Sequence, residues 1–200
     1  VPQAAAPETL TAPPGDPFAA GPAPLRDEDL VGPPYFPDAE PYPPAEGPQR
    51  EEGELLREAV ALVGARDPAL GAEAERRFGD PALVERIPDP ALRAALVSLL
   101  GTVSAPAVGW LGFGPRFTSV EFGSIPDGAV AKSLTDHGEG QRIVVDRRFR
   151  HERPALLSVV LAHEAFHADG QASDLEELVA VAVQALVHMQ QLLADPSLAE

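Results

Sequence analysis

Fourteen of the 23 prolines in this 200-residue chain fall within the first 50 residues, in runs such as Ala12-Pro13-Pro14-Gly15 and Tyr42-Pro43-Pro44. Proline brings no N–H to a helix or a sheet and fixes φ near −65°. A stretch this rich in it favours extended polyproline II or unfolded chain, and is barred from helix interiors and central strands. Any core must therefore come from residues 51–200, and residues 1–50 read as a proline-rich extension or linker. Tyr35, Phe36 and Tyr42 are the large anchors in its second half. The expectation is that part of residues 30–50 packs on the folded domain.

Residues 51–200 are long enough to bury a real core. Glu54 to Val63 sets Leu55, Ala59, Leu62 and Val63 on one helical face, with Gly64 as a stop. A second helix is expected over Pro68–Phe78. A third follows Asp89-Pro90, where Asp caps and Pro takes the first turn, and it stops at Gly101. From residue 104 to 146 the period changes. Phe117–Phe122 alternates, Ile125-Pro126-Asp127-Gly128 is turn chemistry, and Ala129–Leu134 and Arg142–Asp146 read as extended. This predicts a small, mostly antiparallel three-stranded sheet, one face covered by Trp110 and Phe113. A helix opens at Pro154, with Gly170 suited to end it. Another spans residues 174–193, capped by Ser173 with Glu176 as capping-box partner. Its residues Leu175, Leu178, Val179, Ala182, Val183, Leu186 and Val187 are expected to bury most of its surface. The fold class is α+β.

One short stretch carries chemistry. His163-Glu164-Ala165-Phe166-His167 reads H-E-x-x-H inside an apolar run that starts at Leu156. Helical positions i and i+4 share a face, so His163 and His167 can offer imidazole nitrogens to one metal ion. Glu164 sits beside them, placed to take a proton from water at the ion. The chain has no cysteine, so histidine and carboxylate must supply the ligands. The competing reading is a core helix whose polar residues are merely hydrogen-bonded, since such groups are costly to bury without partners.

A strand, a helix bearing H-E-x-x-H, and a second helix opening with glutamates together resemble the zincin metallopeptidases. Within them the arrangement resembles the gluzincin branch in its minimal bacterial form, over roughly residues 115–195. The resemblance implies a Zn²⁺ ion held by His163, His167 and a Glu on the second helix. Glu177-Leu178-Val179-Ala180 matches the E-x-x-A of that helix, with Glu177 as the third ligand. Many of these proteins carry Asp or Asn after the Ala to orient a ligand His; here Val181 stands there. Read on their own, Glu176, Asp174 and Asp169 are the other carboxylates near enough in sequence to be the third ligand. The metzincin continuation is not met, because Ser173 occupies its ligand position and the single methionine, Met189, lies mid-helix. His188 stands 11 residues beyond Glu177, about 16 Å along a helix, too far to share the ion. His137 and His151 fall in loops, where either could face an oxyanion.

The implied activity is peptide-bond hydrolysis by a zinc-bound water with Glu164 as general base, the partner being a peptide or protein substrate. An extended substrate would pair with an edge strand, Arg142–Asp146 or its neighbour. A net charge of −16 argues against nucleic acid or an anionic membrane as partner. The longest apolar stretches are of core-helix length, too short to span a bilayer, so no transmembrane segment is expected. A first residue of Val rather than Met fits a processed chain, which makes an extracellular or cell-envelope location in a bacterium the expectation. Two other readings stay open. One is a zincin-fold binding module that holds metal with little turnover, which Val181 favours. The other is a cell-envelope interaction protein acting through its proline-rich segment, which would have no use for Glu164.

Overall fold

The computed structural model describes residues 50–115, 117–125, 128–136, 140–167 and 173–199. The proline-rich stretch up to Gln49, with its expected packing, lies outside them. Five helices come first: α1 (Glu52–Arg66), α2 (Pro68–Phe78), α3 (Pro81–Arg86), α4 (Pro90–Val97) and α5 (Ala105–Phe113). Three strands follow, β1 (Phe117–Gly123), β2 (Ala131–Asp136) and β3 (Gly140–Asp146), then a 3-10 turn at Arg147–Phe149. The chain closes with α6 (Pro154–Glu164), α7 (Asp174–Ala194) and a second 3-10 turn at Pro196–Ala199.

A repeated Asp-Pro pair starts three of the helices. Asp67, Asp80 and Asp89 each accept a hydrogen bond from the backbone N–H two residues on, at 2.9 Å, and the following proline takes the first helical position. Helix α1 buries Leu55, Ala59, Leu62 and Val63, the face its spacing predicts. Gly64 does not end it, however. The helix runs to Arg66, and a Cβ added to Gly71 of α2 would lie 3.5 Å from the Gly64 Cα, so the two glycines mark a close helix crossing. Helix α4 is buried from Ala91 to Val97 and forms the centre of the core, with α1, α2, α5 and α6 around it. It ends before the expected Gly101. Residues 98–101 continue as tight turns, and Gly101 takes φ of +77°, a conformation suited to glycine.

Two expectations for the middle of the chain need correction. Residues 105–113 form helix α5, so Trp110 and Phe113 sit on a helix rather than on an approach to the sheet. This stretch is almost uniformly apolar and therefore carries no period to read. The sheet is mixed rather than mostly antiparallel. Its order is β1-β3-β2, with β3 antiparallel to β2 and parallel to β1. Alternation along a strand is the same in either pairing; what decides is that the segment after Gly123 carries the chain past β3 before β2 begins. Central β3 accordingly buries the consecutive residues Ile143, Val144 and Val145 on both faces.

Helices α6 and α7 pack together, α6 also lying on α4. Helix α7 does not bury most of its surface as expected. Only Ala180, Val187 and Gln191 are buried, while Leu175, Leu178, Val179, Leu186, Met189 and Leu193 are exposed. The reason is that α7 lies on the outside, with a single stripe turned inward. By length and composition alone it is long and apolar enough to cross a membrane, against the expectation that every apolar stretch is too short for that. A buried polar node fastens it to the domain. Gln191 accepts from the Arg66 guanidinium and donates to the Ser158 hydroxyl (2.5 Å) and the Ser98 carbonyl (3.3 Å). Arg66 also donates to the carbonyls of Ser98 and Leu100, and burial lowers its pKa to about 10.

Candidate metal centre

Helix α6 ends at Glu164, and the expected stop at Gly170 lies outside the described residues. Ala165 N–H still reaches back four residues to Leu161 O at 3.0 Å. Phe166 and His167 reach back only three, to His163 O (3.0 Å) and Glu164 O (3.2 Å). The last turn is thus tightened, and His167 sits just beyond the helix rather than in it. It still meets His163. Their Nε2 atoms are 3.2 Å apart and their ring centroids 5.0 Å.

The start of α7 completes the cluster. Ser173 Oγ accepts the Glu176 N–H at 3.1 Å, the cap expected from sequence, and this sets the first turn against the end of α6. Glu177 Oε1 lies 3.4 Å from His163 Nε2, and its Oε2 lies 3.3 Å from His167 Nε2. Among the described residues His163, His167 and Glu177 form the group able to hold a metal ion. Their donor set fits Zn²⁺. Bonds of ~2.0–2.1 Å in a tetrahedron put neighbouring ligand atoms ~3.3 Å apart. His167 Nδ1 faces Glu176 Oε1 at 3.0 Å, and its Nε2 is the nitrogen turned to His163 and Glu177.

Glu176 therefore neither binds with the cluster nor completes a capping box. Its carboxylate accepts from His167 Nδ1, fixing which nitrogen points at the cluster. The other imidazole lacks such support. His163 Nδ1 is buried with no partner among the described residues, and Val181 occupies the position where the resembling proteins carry an acid.

Glu164 is 7% exposed. Burial pushes its carboxyl above the ordinary glutamate range. His163, His167 and a backbone hydrogen bond from Ser133 pull the other way without cancelling it, and Glu177 adds to the rise. Ser133 belongs to β2, an edge strand, and its hydroxyl donates to His167 O at 3.0 Å. Gln141, buried on β3, donates to Glu164 O (2.8 Å), Ser133 Oγ (2.8 Å) and His167 O (3.3 Å). These two side chains hold the tightened turn that delivers His167. Neither stands out in the sequence, because each acts through contacts 23 to 34 residues away.

The remaining candidates fall away from the cluster or outside what is described. Asp174 is exposed in the first turn of α7, and Asp169 and His137 lie outside the described residues. His151 precedes α6, at the end remote from His163. His188 is half-buried, about three turns along α7 from Glu177. No protein-family model, curated protein or solved structure matches this chain.

Proposed function

We propose that the protein is a zinc-dependent peptidase of the H-E-x-x-H type, with His163, His167 and Glu177 holding the ion. The observation that carries this reading is the convergence of two imidazoles on one carboxylate at the ends of two helices: the Nε2 atoms of His163 and His167 lie 3.2 Å apart, and the two Glu177 oxygens stand 3.4 Å from the first and 3.3 Å from the second. When bound, the ion supplies Lewis acidity toward the scissile carbonyl. The chain's own groups do the rest. The Glu164 carboxylate takes a proton from the attacking water as the C–O bond forms, and returns it to the amine nitrogen as the C–N bond breaks. Its raised proton affinity suits a group that must hold that proton between the two steps. A peptide can run along β2, an edge strand of the described sheet; β3, the first sequence candidate, is paired on both sides, so its neighbour takes the role.

A second reading, a metal-holding module with little turnover, draws on the unpartnered His163 Nδ1. Glu164→Gln separates the two. It removes a proton acceptor at nearly constant volume and leaves the ligand set intact. The variant should keep wild-type zinc content by elemental analysis while losing roughly 10²–10⁴-fold in cleavage of a peptide library. Wild-type protein that binds zinc stoichiometrically but cleaves nothing supports the binding module. Protein that takes up no zinc sinks both.

A further inference from the structure

Helix α7 turns one stripe toward α6 and leaves the opposite stripe exposed. At 100° per residue, Leu175, Leu178, Val179, Leu186, Met189 and Leu193 fall with Ala182 and Ala185 inside an arc of about 120°. Leu175 is 71% exposed, Leu178 65% and Leu193 81%. No charged residue occurs between Glu177 and Asp195. The steps Leu175, Leu178, Ala182, Ala185, Met189 alternate three and four residues, the repeat of a seam between two helices. The six large side chains expose on the order of 600–700 Å² of surface, beyond the few hundred Å² usual on a monomer and near the ~800 Å² that each partner gives to a stable interface.

We propose that this stripe pairs antiparallel with the same stripe of a second copy of the chain, across a two-fold axis at the level of Gln184. Three features select that occupant. The stripe is uncharged, so self-contact buries no ion. Leu175 and Leu193, its two most exposed residues, each lie nine positions from Gln184, so a two-fold sets one against the other. The acidic first turn of Asp174, Glu176 and Glu177 would meet its own copy in a parallel pair; an antiparallel pair keeps the two about 25 Å apart and opposes the helix dipoles. A lipid surface fits worse. The stripe lacks the Lys, Arg and Trp of interfacial helices, and acids stand at both ends of the helix in a chain of net charge −16.

Sedimentation equilibrium on the full chain tests the pairing. Wild type should be a dimer at micromolar concentration. Leu178→Lys/Leu186→Lys should be a monomer that still unfolds cooperatively and whose melting temperature no longer rises with protein concentration, because both side chains are exposed in the single copy; should that variant not fold, Leu178→Ser/Leu186→Ser gives the same reading. The chain has no cysteine, so new thiols report direction. Oxidised Leu175→Cys/Leu193→Cys should run as a covalent dimer, the two sites being too far apart on one helix to bridge within a chain. Leu175→Cys alone should stay monomeric on a non-reducing gel. A wild-type monomer at all concentrations, a lysine variant still dimeric, or efficient cross-linking by Leu175→Cys alone would each overturn the proposal. So would a monomer that binds phosphatidylcholine–phosphatidylglycerol vesicles, which would assign the stripe to lipid.

Discussion

An imidazole ligand is only as well placed as its second nitrogen allows. His167 has its Nδ1 held by Glu176, whereas His163 has a buried Nδ1 with no described partner. Two variants measure what that difference is worth, read by competition for Zn²⁺ against a chromogenic chelator. Glu176→Ala should still take up one ion but bind it roughly 10–100-fold more weakly, the usual cost of losing a ligand's orienting partner. Glu177→Ala should lose the ion, since it removes a ligand. Full occupancy in Glu177→Ala with loss in Glu176→Ala would exchange the two roles. Val181 lies one turn beyond Glu177 on the same side of α7. Val181→Asp should thus offer His163 Nδ1 an acceptor and tighten binding by about tenfold. An unchanged affinity would show that residue 181 does not reach the ring.

At the scale of elements, the end of β3 is a corner held by one buried carboxylate. Asp146, the last residue of β3, is 3% exposed. It accepts from the backbone of Ile125 (3.3 Å) and Arg148 (2.9 Å) and pairs with the Arg148 guanidinium at 2.9 Å. Burial pushes its carboxyl up, but the Arg148 and Ile125 hydrogen bonds outweigh it and leave the group below the ordinary aspartate range. A folded-state pKa below the unfolded one contributes stability above the unfolded value of ~3.9, and loses it as pH falls through the folded value. Asp146→Asn should accordingly cost about 1.5–3 kcal/mol in urea unfolding at pH 7. The gap to wild type should shrink as pH falls below about 4. A gap that is constant with pH would mean that shape, not charge, holds this corner.

For the molecule as a whole, what could be read in the residues was whatever repeats over a few positions. The Asp89-Pro90 helix start, the buried face of α1, the extents of α2 and α7, and the H-E-x-x-H that His163 and His167 share all have that character; the short α3, opened by the same pair at Asp80-Pro81, went unread. Helix α5 stayed hidden because an apolar stretch has no period, and the sheet order because alternation does not encode direction. The holding contacts of Gln141, Ser133 and Gln191 span 23 to 125 residues, so nothing local announces them. These long contacts make the centre and the fold one system. The ion would join the end of α6 to the start of α7, while the Gln191 node ties α7 to α1, α4 and α6 further along. An ion bound only by the folded chain stabilises it by mass action, ~2.7 kcal/mol when free metal exceeds Kd a hundredfold. For a domain of this size that corresponds to a rise in melting temperature of roughly 5–10 °C, reversed by chelator. Glu164→Gln should show the same rise, because it leaves the ligands untouched, and His163→Ala should show none. Calorimetry in which His163→Ala gains as much from zinc as wild type would place the ion elsewhere on this acidic surface, and the cluster at the helix ends would then be hydrogen bonding alone.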